Sequence, residues 1–227
     1  MRYKIQGDNM PVVLCALENG ESMICEAGAM SWMSPNMEME TKGGGVGKLF
    51  GRMVSGETMF QNHYTAHGSG LIAFTSSFPG DILAVEITPD KPVIIQKRAF
   101  LASTAGVRSE VYFQRKLGTA LFGGEGFIMT TLSGSGTVFL EIDGSTINYS
   151  LKAGEQMVIS TGHLAMMDES VRMDIQQVKG VKNVLFGGES LFNTLVTGPG
   201  NITVQTMPIA NLASAIASLL PTGNSSH

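Results

Sequence analysis

Several residue groups in this chain have the types and local spacing that chemistry needs. The run Gly43-Gly44-Gly45-Val46-Gly47-Lys48-Leu49 carries the glycines and lysine of a phosphate-cradling loop. However, Lys42 stands five residues before Gly47 where that loop needs a glycine, and Leu49 stands where a Ser or Thr hydroxyl would hold Mg²⁺. The run reads as a surface loop. His63 and His67 are four apart, which on a helix would offer two imidazoles to one zinc, but Thr58 to Ala66 reads as β. Residues four apart on a strand lie about 13 Å apart, too far for one ion, and no Glu sits with these histidines in the sequence. Cys15 and Cys25 lie in apolar runs with no basic neighbour and read as buried small hydrophobes. Gly134-Ser135-Gly136 matches a serine-nucleophile elbow only in part and lies between two strand-like runs, so it reads as a turn. Glu57, Glu125 and Glu189 each follow a turn glycine, where a carboxylate caps loose backbone amides. The expectation is a protein that is not an enzyme, with no catalytic residue, metal ligand or cofactor.

The pairs Leu49-Phe50, Leu121-Phe122 and Leu185-Phe186 are of another kind, because each occupies a glycine-flanked connection rather than a strand. Apolar loop tips either fold back over a core or gather as a docking patch. These six residues are the candidate partner-docking set, and the fifteen methionines are adaptable filler around them.

The elements that position these groups follow from composition and period. The chain has 227 residues, 43% of them hydrophobic, and 28 glycines, which excludes disorder and collagen-like repeats. A net charge of −4, from 15 Lys and Arg against 19 Asp and Glu, gives no general attraction to nucleic-acid backbones, and none is expected as a partner. Two cysteines make no disulfide framework, the N-terminus leads into no apolar signal region, and no run approaches the roughly 20 apolar residues that span a bilayer. A reducing, cytoplasmic location follows, with peripheral attachment to a membrane as its one variant. Short apolar runs at Val12 to Leu17, Leu71 to Phe74, Ile82 to Ile87, Val93 to Ile95, Thr137 to Ile142 and Ile202 to Thr206 predict strands. Helical spacing appears only over residues 209–220, after Pro208 and before Pro221, and 222–227 reads as an unordered tail.

The same signals recur three times. Gly28-Ala29-Met30, Arg98-Ala99-Phe100 and Gly162-His163-Leu164 each follow a β-rich run, and nine residues on stand Met37, Val107 and Val171, each opening an alternating segment. The Leu-Phe pairs come next, then Gly56-Glu57, Gly124-Glu125 and Gly188-Glu189, then Gly68-Ser69-Gly70, Gly134-Ser135-Gly136 and Gly198-Pro199-Gly200. The predicted fold is all-β: three antiparallel double-stranded β-helix or sandwich units around a pseudo-threefold axis, with a C-terminal helix. The units run roughly over 10–75, 76–140 and 141–207, with strands exchanged at the joins, within one compact domain of residues 1–221.

Gly28-Ala29-Met30, Gly56-Glu57, Pro79-Gly80-Asp81, Ala99-Phe100-Leu101-Ala102, Leu121-Phe122-Gly123-Gly124-Glu125-Gly126, Gly162-His163-Leu164 and Gly198-Pro199-Gly200 with Gln205-Thr206 resemble the altered inheritance of mitochondria protein 24 family over nearly the whole chain. The resemblance implies a triplicated β fold similar to the tryptophan RNA-binding attenuator protein, with three units arranged as in a trimer. It implies no enzymatic activity, and it associates fungal members with mitochondrial inner-membrane organisation. The chain departs from the family pattern at Arg98, where glycine is common, and at Ser190. The functional expectation is a binding or scaffold protein that forms homo-oligomers or docks to a protein or membrane-associated partner. The alternative is a small ligand held in clefts between the units, which are favoured places for pockets.

Overall fold

The computed structural model describes residues 1–26, 28–42, 61–115, 126–177 and 192–219. A leading strand β1 (Arg2–Gln6) precedes three sets of six strands. The first set is β2 (Val12–Leu17), β3 (Ser22–Glu26), β4 (Met30–Met33), β5 (Met37–Lys42), β6 (Gln61–Ala66) and β7 (Gly70–Thr75). The second is β8 (Gly80–Ile87), β9 (Val93–Gln96), β10 (Phe100–Thr104), β11 (Val107–Arg115), β12 (Phe127–Gly134) and β13 (Gly136–Asp143). The third is β14 (Thr146–Leu151), β15 (Gln156–Ser160), β16 (Leu164–Asp168), β17 (Arg172–Gln177), β18 (Phe192–Thr197) and β19 (Gly200–Gln205), and helix α1 (Ile209–Leu219) follows. The mostly β architecture with one short C-terminal helix is as the sequence predicts, and Val12 to Leu17 coincides with β2 end to end. Residues 220–227 lie outside the described residues, as do Leu49, Phe50, Leu121, Phe122, Leu185, Phe186, Glu57, Glu125, Glu189 and the 43–49 loop.

Extended segments cannot be buried unless their backbone groups find ladder partners. Among the described residues every ladder between these strands is antiparallel, and the pairing scheme recurs with a period of six strands. In each set the first strand pairs with the sixth and the sixth with the third, while the fourth pairs with the fifth and the fifth with the second. Between sets, β3 pairs with β10 and β9 with β16. The resulting sheets have the orders β1-β2-β7-β4, β5-β6-β3-β10-β13-β8, β11-β12-β9-β16-β19-β14 and β15-β18-β17. Ladders shift register between Met30 and Trp32, Phe100 and Ala102, and Leu164 and Met166, a bulge at the same distance from Gly28, Arg98 and Gly162 in each set.

Three apolar cores lie between the four sheets. Val13, Cys15, Ile72 and Phe74 meet Met23, Cys25, Tyr64 and Phe139 in the first. Ile87, Leu140 and Ile142 meet Val93, Ile95 and Leu132 in the second, and Phe127, Ile94 and Ile202 meet Ile159 and Val196 in the third. Strand β13 serves two of them, since Phe139 points to one core while Val138, Leu140 and Ile142 point to the other. A sheet buried on both faces loses the apolar–polar alternation of a half-exposed one, which is why such runs read as continuous hydrophobic stretches.

Strand β1 has no counterpart in the sequence-based reading. Arg2, Lys4 and Gln6 are exposed, Tyr3 is partly so and Ile5 packs against the first core, and an edge strand needs only one ladder. Pairing with β2 holds it, together with a salt bridge from the Met1 amino group to Glu21 and an edge-on contact of Tyr3 with Phe139, ring centroids 5.0 Å apart. The Gly134-Ser135-Gly136 turn is a tight β12–β13 reversal. Gly134 has φ +102°, and a Cβ there would stand 2.3 Å from the Gly106 carbonyl oxygen.

Phe139 is fully buried and touches one core from a strand that also builds another. Phe139→Ala is expected to cost about 3–5 kcal/mol in urea unfolding, against under about 1 kcal/mol for Ile147→Ala at an exposed β14 position. Equal losses would show that the cores do not carry the stability.

Candidate functional site

A cavity of about 280 Å³ opens where residues of all three strand sets meet. The ends of β3, β9, β13 and β19 supply Glu26, Gln96, Glu141, Asp143 and Gln205. The short connections that follow β3, β9 and β15 supply Gly28 and Ala29, Arg98 and Ala99, and Gly162, so all three recurring sequence signals line one space. Phe78, Phe100, Leu101, Pro208 and Ile209 form its apolar walls.

The polar groups are held by a network that crosses the whole chain. Gln205, almost fully buried, accepts the Asp143 backbone N–H through Oε1 at 3.0 Å. Its Nε2 donates to the Gly162 carbonyl at 2.9 Å and to Gln96 Oε1 at 3.3 Å. Gln96 is only 6% exposed and lines the cavity. Asp143 Oδ2 accepts the Ile209 N–H at 2.8 Å, capping the first turn of α1, whose free N–H groups and dipole favour an anion. His163 Nδ1 meets the Gln205 carbonyl at 2.8 Å and its Nε2 lies 3.3 Å from the Asn211 amide, so it ties α1 to β19.

Burial sets the electrostatics. Desolvation pushes the Glu141 carboxyl above the ordinary carboxylate range, and hydrogen bonds from Ser77, at 2.9 Å, and from the Phe78 backbone only partly offset it. Desolvation also raises Asp143, against the Ile209 hydrogen bond and the nearby Arg98 guanidinium. Arg98 is exposed at the rim.

Cys15, Cys25 and His67 are not among the residues that line the cavity. Cys15 and Cys25 are buried thiols whose pKa values desolvation pushes up to about 12, as expected of apolar filler. His67 corrects one reading: its Nε2 meets Glu38 Oε2 at 2.6 Å, because the β5–β6 ladder sets Glu38 beside the end of β6, a cross-strand neighbour that linear spacing does not display. Among the described residues no cluster of His, Cys, Asp and Glu could hold a metal ion, and no helix is long and apolar enough to cross a membrane. Sequence reasoning named Arg98 as a departure but none of the cavity's carboxylates or amides as site residues. The signal was present at Glu26 and Gln96, which stand two residues before Gly28 and Arg98 as polar ends to apolar strands.

An acid whose pKa is raised by folding destabilises the native state above that raised pKa, and the penalty vanishes as pH falls toward its unfolded value. Glu141→Gln is therefore expected to raise the thermal midpoint at pH 7.5, by roughly 2–4 °C per kcal/mol recovered, with the advantage shrinking toward pH 4.5. A variant less stable than the parent at pH 7.5 would contradict a desolvated carboxylate.

The family model described as Mitochondrial biogenesis AIM24 matches residues 3–207. An uncharacterized protein of Streptococcus pyogenes serotype M6 is 33% identical over 235 residues, covering 99% of this chain and 93% of that one. The X-ray crystal structure of a Streptococcus pyogenes protein superposes with a TM-score of 0.80 at 29% identity, over 96% of this chain and 99% of that chain. With a match that spans nearly the whole chain, the chain belongs to the AIM24 family.

Proposed function

We propose that this protein is a non-enzymatic binding protein, that its three strand sets are copies of one module, and that a small organic cation is its ligand, held in the cavity where the sets meet. The observation that carries this reading is the composition of the cavity wall: three carboxylates, Glu26, Glu141 and Asp143, against one guanidinium, Arg98, two of the carboxylates lifted in pKa by desolvation. A cation entering beside a poorly solvated carboxylate offsets the hydration that burial removed, and the interaction is stronger there than in bulk water. Phe78, Phe100, Leu101 and Ile209 suit the hydrocarbon body of such a ligand. The volume sits at the small end of ligand pockets, for which roughly 300–1,000 Å³ is typical. An amine or guanidine on a short alkyl or aryl frame matches that size.

Isothermal titration at pH 7.5 with a panel of alkyl and aryl monoamines, diamines and guanidines, set against carboxylates of matching size, tests the reading. The expected result is cation binding that weakens about tenfold, or about 1.4 kcal/mol, in Glu141→Gln, with no carboxylate binding. Tighter binding of the carboxylates, or no cation bound at millimolar concentration, would overturn it.

A further inference from the structure

The two ladders that join successive strand sets share one register. Cys25 pairs with Ala102, Ile24 with Ser103 and Met23 with Thr104. Sixty-four or seventy residues on, Ile95 pairs with Met166, Ile94 with Met167 and Val93 with Asp168. In both, the strand residue three before Arg98 or its counterpart meets the residue four after the next one. Strands β15 and β4 are the remaining members of the same two series, yet no ladder joins them among the described residues. The consequence shows in burial. Strand β9 is buried throughout and β10 nearly so, whereas Trp32 on β4 is 48% exposed and Val158 on β15 is 58% exposed. The three-stranded sheet β15-β18-β17 and the sheet β1-β2-β7-β4 are thus the unjoined halves of the arrangement that the other two sheets complete.

An apolar strand edge left open is a liability that folded proteins cover. The cover is available within the same chain. Gly162, two residues beyond β15, and Gly28, two residues before β4, line the same cavity of about 280 Å³, so corresponding ends of the two edges already converge. We infer that β15 and β4 pair in a closed state of the molecule, antiparallel, with Ile159 opposite Trp32, Val158 opposite Met33 and Met157 opposite Ser34. Closure joins the two half-sheets and moves two walls of the cavity, Gly28 and Gly162, toward each other. The ladder follows from strand pairing and exposure alone and does not rest on the ligand reading.

The test is a pair of double-cysteine variants of the full chain under mild oxidation. Val158→Cys with Met33→Cys is in register; Val158→Cys with Trp32→Cys is one residue out, which turns the two side chains to opposite faces of the sheet. The buried native thiols, with pKa values near 12, stay out of the reaction. The expected result is an intrachain disulfide in the in-register variant, found by mass spectrometry, at a rate at least tenfold above the out-of-register control. Equal rates in the two variants, no disulfide in either, or a crosslink only between chains would each overturn the closure. A far-ultraviolet spectrum matching the parent confirms that both variants fold. Titrating the locked and the reduced form with the cation panel is a separate readout: a panel that binds neither form removes the ligand reading and leaves the ladder to be judged by the crosslink.

Discussion

The structure depends on backbone pairing across the joins between strand sets. Within a set, local hairpins and one longer return build the ladders, but β3 and β9 would each present an unpaired edge if their sets stood alone. Their partners β10 and β16 come from the next set, and this exchange turns separate sandwiches into two six-stranded sheets. The apolar cores follow from that arrangement, because a sheet shared by two sets is covered on both faces. Phe139, Leu140 and their neighbours on β13 are buried for this reason rather than through any property of β13 alone.

The same exchange creates the cavity. Where β3 and β9 end, their last residues, Glu26 and Gln96, and the bends that follow are brought to a common centre, and β13, β19 and the start of α1 close around them. The polar groups there are individually tethered: Gln205 spans Asp143, Gly162 and Gln96, and Asp143 caps α1. A network of this kind holds carboxylates in a poorly solvated place without leaving their neighbours unpaired, the condition under which buried polar groups are tolerated. The residues that line the cavity lie up to 179 positions apart in the chain, from Glu26 to Gln205, so the site exists only once the strand sets have docked.

That separation explains what the sequence could and could not convey. Runs such as Val12 to Leu17 and Thr137 to Ile142 announce strands because β-branched and aromatic residues stand between turn glycines, and residues 209–219 announce a helix by spacing and by Pro208. Strand β1 is hard to read from sequence, since its alternation is only two residues long, Tyr3 and Ile5 between Arg2, Lys4 and Gln6. Glu38 and His67 were read apart because their meeting is set by a ladder. The carboxylates of the cavity are illegible for the same reason: Glu141 and Asp143 look like ordinary outward charges on a strand, and only burial in the folded chain raises their pKa values, against hydrogen bonds from Ser77, Phe78 and Ile209 that lower them. The six Leu and Phe residues of the glycine-flanked connections lie outside the described residues.

Native-state hydrogen exchange, followed residue by residue, addresses the dependence on the inter-set ladders most directly. If those ladders hold the molecule together, amides in Met23–Cys25 with Ala102–Thr104, and in Val93–Ile95 with Met166–Asp168, exchange only through global unfolding, with the same free energy and urea dependence as the cores. Exchange of these segments through low-energy local opening, while amides of β7, β12 and β18 inside the sets stay protected, would contradict it.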